Sequence, residues 1–202
     1  MQSIHLQVLD KISDLERGCV FFPEDFASIG NSESVRQALS RICKNGTIIR
    51  LSKGVYFYPV IDDELGIFYP SVERIGKAIS KRDKSRIIPT GAFALNRLGL
   101  STQVPVNVIF LTDGITRKIN IGKQTIAFKH TKPKNLSFRG KITPLVVSAL
   151  KEIGKDKVLP DELYKIRKAL QSEPTEIVMS DAYLAPRWIT DIILSLIKSR
   201  EK

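Results

Sequence analysis

The sequence predicts an α+β protein in two parts. An N-terminal winged helix-turn-helix spans residues 1–60. An α+β domain spans residues 61–202, with a small sheet at about 106–130 and C-terminal helices at about 141–200. Three observations predict this. Apolar residues at helical spacing mark three short helices before residue 45. Two β-branched or aromatic runs follow the third helix at once, separated only by Ser52-Lys53-Gly54. Beyond residue 100 the pattern turns to strand alternation and then returns to helical spacing up to the C-terminus.

Ile4, Val8, Ile12 and Leu15 mark an amphipathic first helix that ends near Arg17-Gly18. Cys19 to Phe22 is a short extended piece. Pro23 opens a second helix, with Glu24 and Asp25 favourable at its positive end. Gly30 makes the turn. Asn31 or Ser32 caps a third helix whose apolar face is Val35, Ala38, Leu39 and Ile42, with Asn45-Gly46 as its stop. Thr47 to Leu51 and Val55 to Tyr58 are two strands of a hairpin, and Pro59 ends the second. Helix, short strand, helix, turn, helix, strand, strand is the order of a winged helix, whose third helix enters the major groove of DNA.

Residues 60–70 form a connector. A helix follows Pro70, with Val72, Ile75, Gly76 and Ile79 inside, and runs into the charged stretch Lys81 to Arg86. Thr90 to Leu100 is a small-residue helix closed by Gly99. Val106 to Leu111 is an apolar strand, central in its sheet. Arg117 to Ile121 and Gln124 to His130 alternate around Gly122-Lys123 and form a β-hairpin. Apolar spacing then marks helices at 145–153, 160–170 and 188–197, with one further turn at 175–179.

The formal charge is +11, with a pI near 9.7. Such a balance favours polyanions: nucleic acid or an acidic protein. It is unevenly spread. Residues 1–30 set Lys11 and Arg17 against five carboxylates, a net of −3, whereas residues 31–60 set five cations against Glu33, a net of +4. Hence the reading helix and wing are basic while the helices that support them are not. Most of the remaining excess lies between residues 61 and 140, which predicts a second basic surface at Arg117, Lys118, Lys123, Lys129, Lys132 and Lys134.

The predicted DNA-contacting residues are Ser32, Ser34, Arg36, Gln37, Arg41, Lys44, Arg50 and Lys53. Arginine suits guanine edges or phosphates, and glutamine can pair bidentately with adenine. Ser32 and Ser34 sit where helix N–H groups favour phosphate. Lys44, Arg50 and Lys53 suit phosphate better than bases. Tyr56, Phe57 and Tyr58 offer base stacking as an alternative to packing in the wing.

No apolar run approaches the roughly 18–20 residues that cross a bilayer, and the acidic, amphipathic N-terminus is unlike a signal peptide. Two cysteines, Cys19 and Cys43, make no disulfide framework, which predicts a reducing cytoplasm. No phosphate-binding glycine motif is present. His5, His130 and the cysteines lack metal-ligand spacing. No cofactor, metal or catalytic residue is therefore expected. The rival readings are an RNA- or protein-binding module that uses residues 117–134, and a metal-dependent nuclease built on Asp113.

Two segments carry a resemblance. Ile49-Arg50-Leu51-Ser52-Lys53-Gly54-Val55-Tyr56 is similar to the wing of the AbiEi-type antitoxins, which belong to bacterial abortive-infection (type IV) toxin–antitoxin systems. Gly91 to Leu100, followed by the Val106–Leu111 strand, resembles the same family's second part. The likeness covers roughly residues 1–155, and the last 45 or so lie outside it. The resemblance implies a repressor that binds inverted repeats in its own promoter, as a monomer or homodimer on the DNA. It also implies that the second domain counters a cognate nucleotidyltransferase-like toxin.

Overall fold

The computed structural model describes residues 2–121 and 124–198. The fold is mixed α+β, with small sheets and a helical C-terminal part. The described residues fall into two compact units: 2–82 with 119–121, and 83–118 with 124–198. The first unit thus runs past residue 60, where the winged helix is expected to end.

In the first unit, Ser3 opens α1 (Ile4–Ser13) by accepting the Leu6 N–H at 3.3 Å. Val8 and Ile12 of α1 are fully buried. β1 (Val20–Phe21) follows. Pro23, predicted to open a helix, opens only a 3-10 turn, Pro23–Phe26. The chain is redirected at Gly30 and Asn31, so too few residues remain to repay the nucleation of an α-helix. The Asp25 carboxylate holds the turn by accepting the Phe22 N–H at 2.8 Å.

Next come α2 (Ser32–Lys44), β2 (Ile49–Ser52) and β3 (Val55–Phe57). β3 pairs antiparallel with both β1 and β2, giving the order β1-β3-β2. Tyr56, Phe57 and Tyr58 are all buried. β3 is the middle strand, and aromatic rings cover its side chains. Tyr56 stacks on Phe21 with centroids 6.0 Å apart, and Phe57 on Tyr69 at 6.1 Å. Tyr58 lies under the Arg17 guanidinium at 4.6 Å. These rings are core, and base stacking by them is overturned.

The predicted connector 60–70 contains a second hairpin, β4 (Val60–Asp62) and β5 (Gly66–Phe68). The Asp62 carboxylate accepts from the N–H groups of Leu65 and Glu64, at 2.8 and 3.0 Å, and Gly66 takes φ +78° to close the turn. Those two N–H groups also hold the Asp62 carboxyl below its ordinary pKa. α3 (Val72–Arg82) completes the unit, with the Arg82 guanidinium 4.4 Å above the Phe22 ring.

In the second unit the sheet starts earlier than predicted, at β6 (Ile87–Thr90), before α4 (Ala92–Arg97). β7 (Asn107–Thr112), β8 (Arg117–Ile121) and β9 (Gln124–His130) complete the order β6-β7-β9-β8, although only Arg117 and Lys118 of β8 belong to this unit. β7 is interior, as its apolar run predicts. It pairs antiparallel with β6 and parallel with β9, and the register partners Phe110 and Phe128 stack at 5.6 Å. The expected turn Gly122-Lys123 lies outside the described residues. Four helices follow: α5 (Thr143–Ile153), α6 (Pro160–Leu170), α7 (Thr175–Ala182) and α8 (Arg187–Lys198). They close on a core that includes Val146, Leu150, Ile166, Val178, Ile189 and Ile193.

Two carboxylates fix the entry to α5. Buried Asp181 accepts from the N–H groups of Arg139 and Gly140, at 2.9 and 2.7 Å. Glu173 accepts from the N–H groups of Lys141, Ile142 and Thr143, and from the Thr143 hydroxyl at 2.9 Å. Five consecutive N–H groups, including those at the positive end of α5, thus find anionic partners from α7 and the turn before it. A Cβ on Gly140 would stand 2.5 Å from a Glu173 oxygen, so a side chain there would displace the carboxylate. Glu173→Ala is expected to lower stability by about 2–4 kcal/mol in urea unfolding, because several donors lose a charged acceptor together.

Candidate nucleic-acid interface

The site is built on α2. The Asn31 carboxamide oxygen caps it by accepting the Ser34 N–H at 2.9 Å. Gly46, at φ +77°, lets the chain leave after Asn45. Val35, Ala38, Leu39 and Ile42 are all at most 3% exposed, so the helix cannot rotate about its axis without losing its core contacts. The opposite side therefore faces outward as a fixed array. With about 100° between successive residues, Glu33, Gln37, Ser40 and Lys44 lie within about 30° of its centre. Arg36 and Arg41 stand about 70° to either side. All six are exposed.

The two flanks have different neighbours. On one, Arg36 and Arg50 both act on the Tyr56 hydroxyl. Burial pushes that group's pKa up, and the two guanidinium charges, with Arg50 the stronger, oppose the rise. On the other, Arg41 lines an open cleft of about 670 Å³ with Ser34, Gln37 and Asn45 of the α2 segment and Ser3 and His5 near the start of α1. The β2–β3 hairpin turns at Lys53-Gly54, with Gly54 at φ +73° and Lys53 exposed. The Arg50 guanidinium donates to the Ser52 carbonyl at 3.3 Å.

All eight sequence-predicted contact residues thus belong to one unit. Arg36, Arg41, Lys44 and Lys53 are exposed and, among the described residues, have no ion-pair partner. Ser32 is exposed and Ser34 half-buried. Gln37 departs from expectation. Its side-chain N–H donates to Glu33 at 3.2 Å, one helical turn away. Glu33 places a carboxylate at the centre of the cationic face, and spacing alone could have revealed it.

The second basic surface is only partly free. Arg117 is bound to Asp83 at 2.5 Å, with both side chains largely covered, so it serves the fold. Lys118, Lys129, Lys132 and Lys134 are exposed, and Lys123 lies outside the described residues. Asp113, the nuclease candidate, accepts from the Arg86 N–H at 2.7 Å and its guanidinium at 2.9 Å. Partial burial works against its charge, yet the Arg86 contacts prevail and hold the carboxyl below its ordinary pKa. Among the described residues no group of three His, Cys, Asp or Glu side chains could hold a metal ion. Nor is any helix long and apolar enough to cross a membrane. Cys19 and Cys43 are free thiols packed against the first core, and burial pushes the Cys19 thiol up.

No curated protein matches the chain. A family model does, over residues 7–178, which reach into both units, and by that match the chain belongs to DUF6088, a family of unknown function.

Proposed function

We propose that the chain is a DNA-binding transcriptional repressor of antitoxin type. Its first unit acts as a winged helix-turn-helix on duplex promoter DNA. α2 enters the major groove, and the β2–β3 hairpin is the wing. One observation carries the reading: a helix locked by its buried side presents a polar strip with an arginine on each flank. A groove has that cross-section, with base edges at the centre and phosphates along both walls. Arg36 and Arg41 reach the walls. Gln37 and Ser40 face the floor. Lys53 reaches a phosphate beyond the groove.

The antitoxin part rests on the resemblance of residues 49–56 and 91–111 to the AbiEi-type proteins. In that reading the second unit counters a nucleotidyltransferase-like toxin encoded beside it, and an inverted repeat brings two copies together.

Binding to duplex DNA from the chain's own promoter tests the first part, with salt titration as the readout. Arg41→Ala and Lys53→Ala should each weaken binding and flatten the slope of log K against log salt by about 1, because each removes one phosphate contact. An unchanged slope in both variants, or tighter binding to RNA than to the duplex, would sink the assignment. Glu33→Gln should act oppositely. It removes the one carboxylate on the face and should tighten binding several-fold at low salt, with little effect at high salt. Equal affinity at every salt concentration would mean that DNA does not meet this side of α2.

A further inference from the structure

The β4–β5 hairpin is unlike the rest of the surface. Six of its ten residues from Val60 to Tyr69 are large, apolar and exposed, with Leu65 at 76%, Ile61 at 57% and Phe68 at 48%. Side chains alternate along a strand, so the register pair Val60 and Phe68 lies on one face and Ile61 and Ile67 on the other. Both faces are therefore apolar. A lone two-stranded hairpin is marginal in water, and three or more strands are needed for a stable sheet.

Its two edges differ. β4 runs into Asp62 and Asp63, and a Cβ on Gly18 would lie 3.5 Å from Val60. β5 carries no charge from Leu65 to Tyr69, and among the described residues no third strand pairs with it. Open edges are normally guarded by charge, above all by lysine. In a chain of net charge +11, an unguarded edge on an otherwise exposed hairpin calls for a partner strand.

We propose that β5 pairs antiparallel with β5 of a second copy, about a two-fold axis at Ile67. The result is one four-stranded sheet in the order β4-β5-β5-β4. The neutral run 65–69 is centred on Ile67, so it meets only itself, and the contact is self-complementary. Glu64 then falls opposite Pro70 of the second copy, and Asp63 opposite Ser71. The acidic tip of each hairpin thereby meets the positive end of the other copy's α3, where Arg74 is exposed. Pro70, with no N–H to give, ends the ladder. Self-pairing needs no nucleic acid, and its failure would leave the DNA-binding proposal standing.

Sedimentation of the full chain without DNA, across the micromolar range, tests it. The wild-type mass should rise with concentration from 22.7 kDa towards twice that value. Ile67→Lys, which guards the edge, should weaken self-association by about ten-fold or more with the fold retained by circular dichroism. Independently, Ile67→Cys should form a covalent dimer with oxidised glutathione, whereas Ile61→Cys on β4 and the wild type should not. A monomer at every concentration overturns the proposal. So does a dimer that Ile67→Lys leaves intact while Ile67→Cys fails to cross-link.

Discussion

The arrangement of the first unit depends on the burial of one side of α2. Val35, Leu39 and Ile42 sit with Val8 and Ile12 of α1, Phe26, Ile48 and Tyr56 in a single apolar cluster. Each large side chain removed from water contributes about 1.5–3 kcal/mol. No outward residue of α2 gains anything comparable from its own contacts. The core therefore sets the rotation of the helix, and the polar face follows from it. Arg36 and Arg41 stand apart because five residues of helix separate them, about 140° of rotation, which puts one on each side of the outward face. The proposed DNA contacts thus rest on packing that involves none of the residues that would touch DNA.

The same cluster explains which parts were legible in the sequence. α2 was legible because cap, stripe and stop agree: Asn31 at one end, four apolar residues at helical spacing, Asn45-Gly46 at the other. The β2–β3 hairpin was legible from its turn chemistry and β-branched residues. The Pro23 turn was not, because proline, two acids and an aromatic fit a 3-10 turn as well as an α-helix, and only the next few residues decide. β4 and β5 have three residues each, too short for alternation to register, and their turn depends on a side-chain contact from Asp62. β6 carries a proline, which lowers strand propensity except at an edge, and β6 is an edge strand. In the second unit, the pairing of residues 139–143 with Glu173 and Asp181 spans 30 to 42 positions, and local pattern carries no trace of it.

Of the candidate site, side-chain identity and helical face were legible and partnership was not. Arg117 and Arg36 look alike as letters in a basic stretch. In the fold, Arg117 is held by Asp83 and largely covered, while Arg36 stands in solvent. An ion pair that is already made must be broken before a phosphate can be met, so Arg117 adds little to an electrostatic footprint. The +11 of the whole chain consequently overstates what any one surface offers, and the exposed, uncommitted cations are the relevant count.

Charge also distinguishes two kinds of contact on α2 itself. Attraction to phosphate acts over about 8–10 Å at ordinary salt, so Arg36, Arg41, Lys44 and Lys53 would draw any duplex towards this face. Glu33 repels over the same range but is a single group near the helix start, bound to Gln37. Their sum favours approach without selecting a sequence. Selection requires Gln37 to exchange its carboxylate partner for a base edge. That exchange costs an existing hydrogen bond and repays it only where the base presents a matching donor and acceptor. A Glu33–Gln37 pair on a reading face would therefore weaken binding to mismatched sites more than to the matched one.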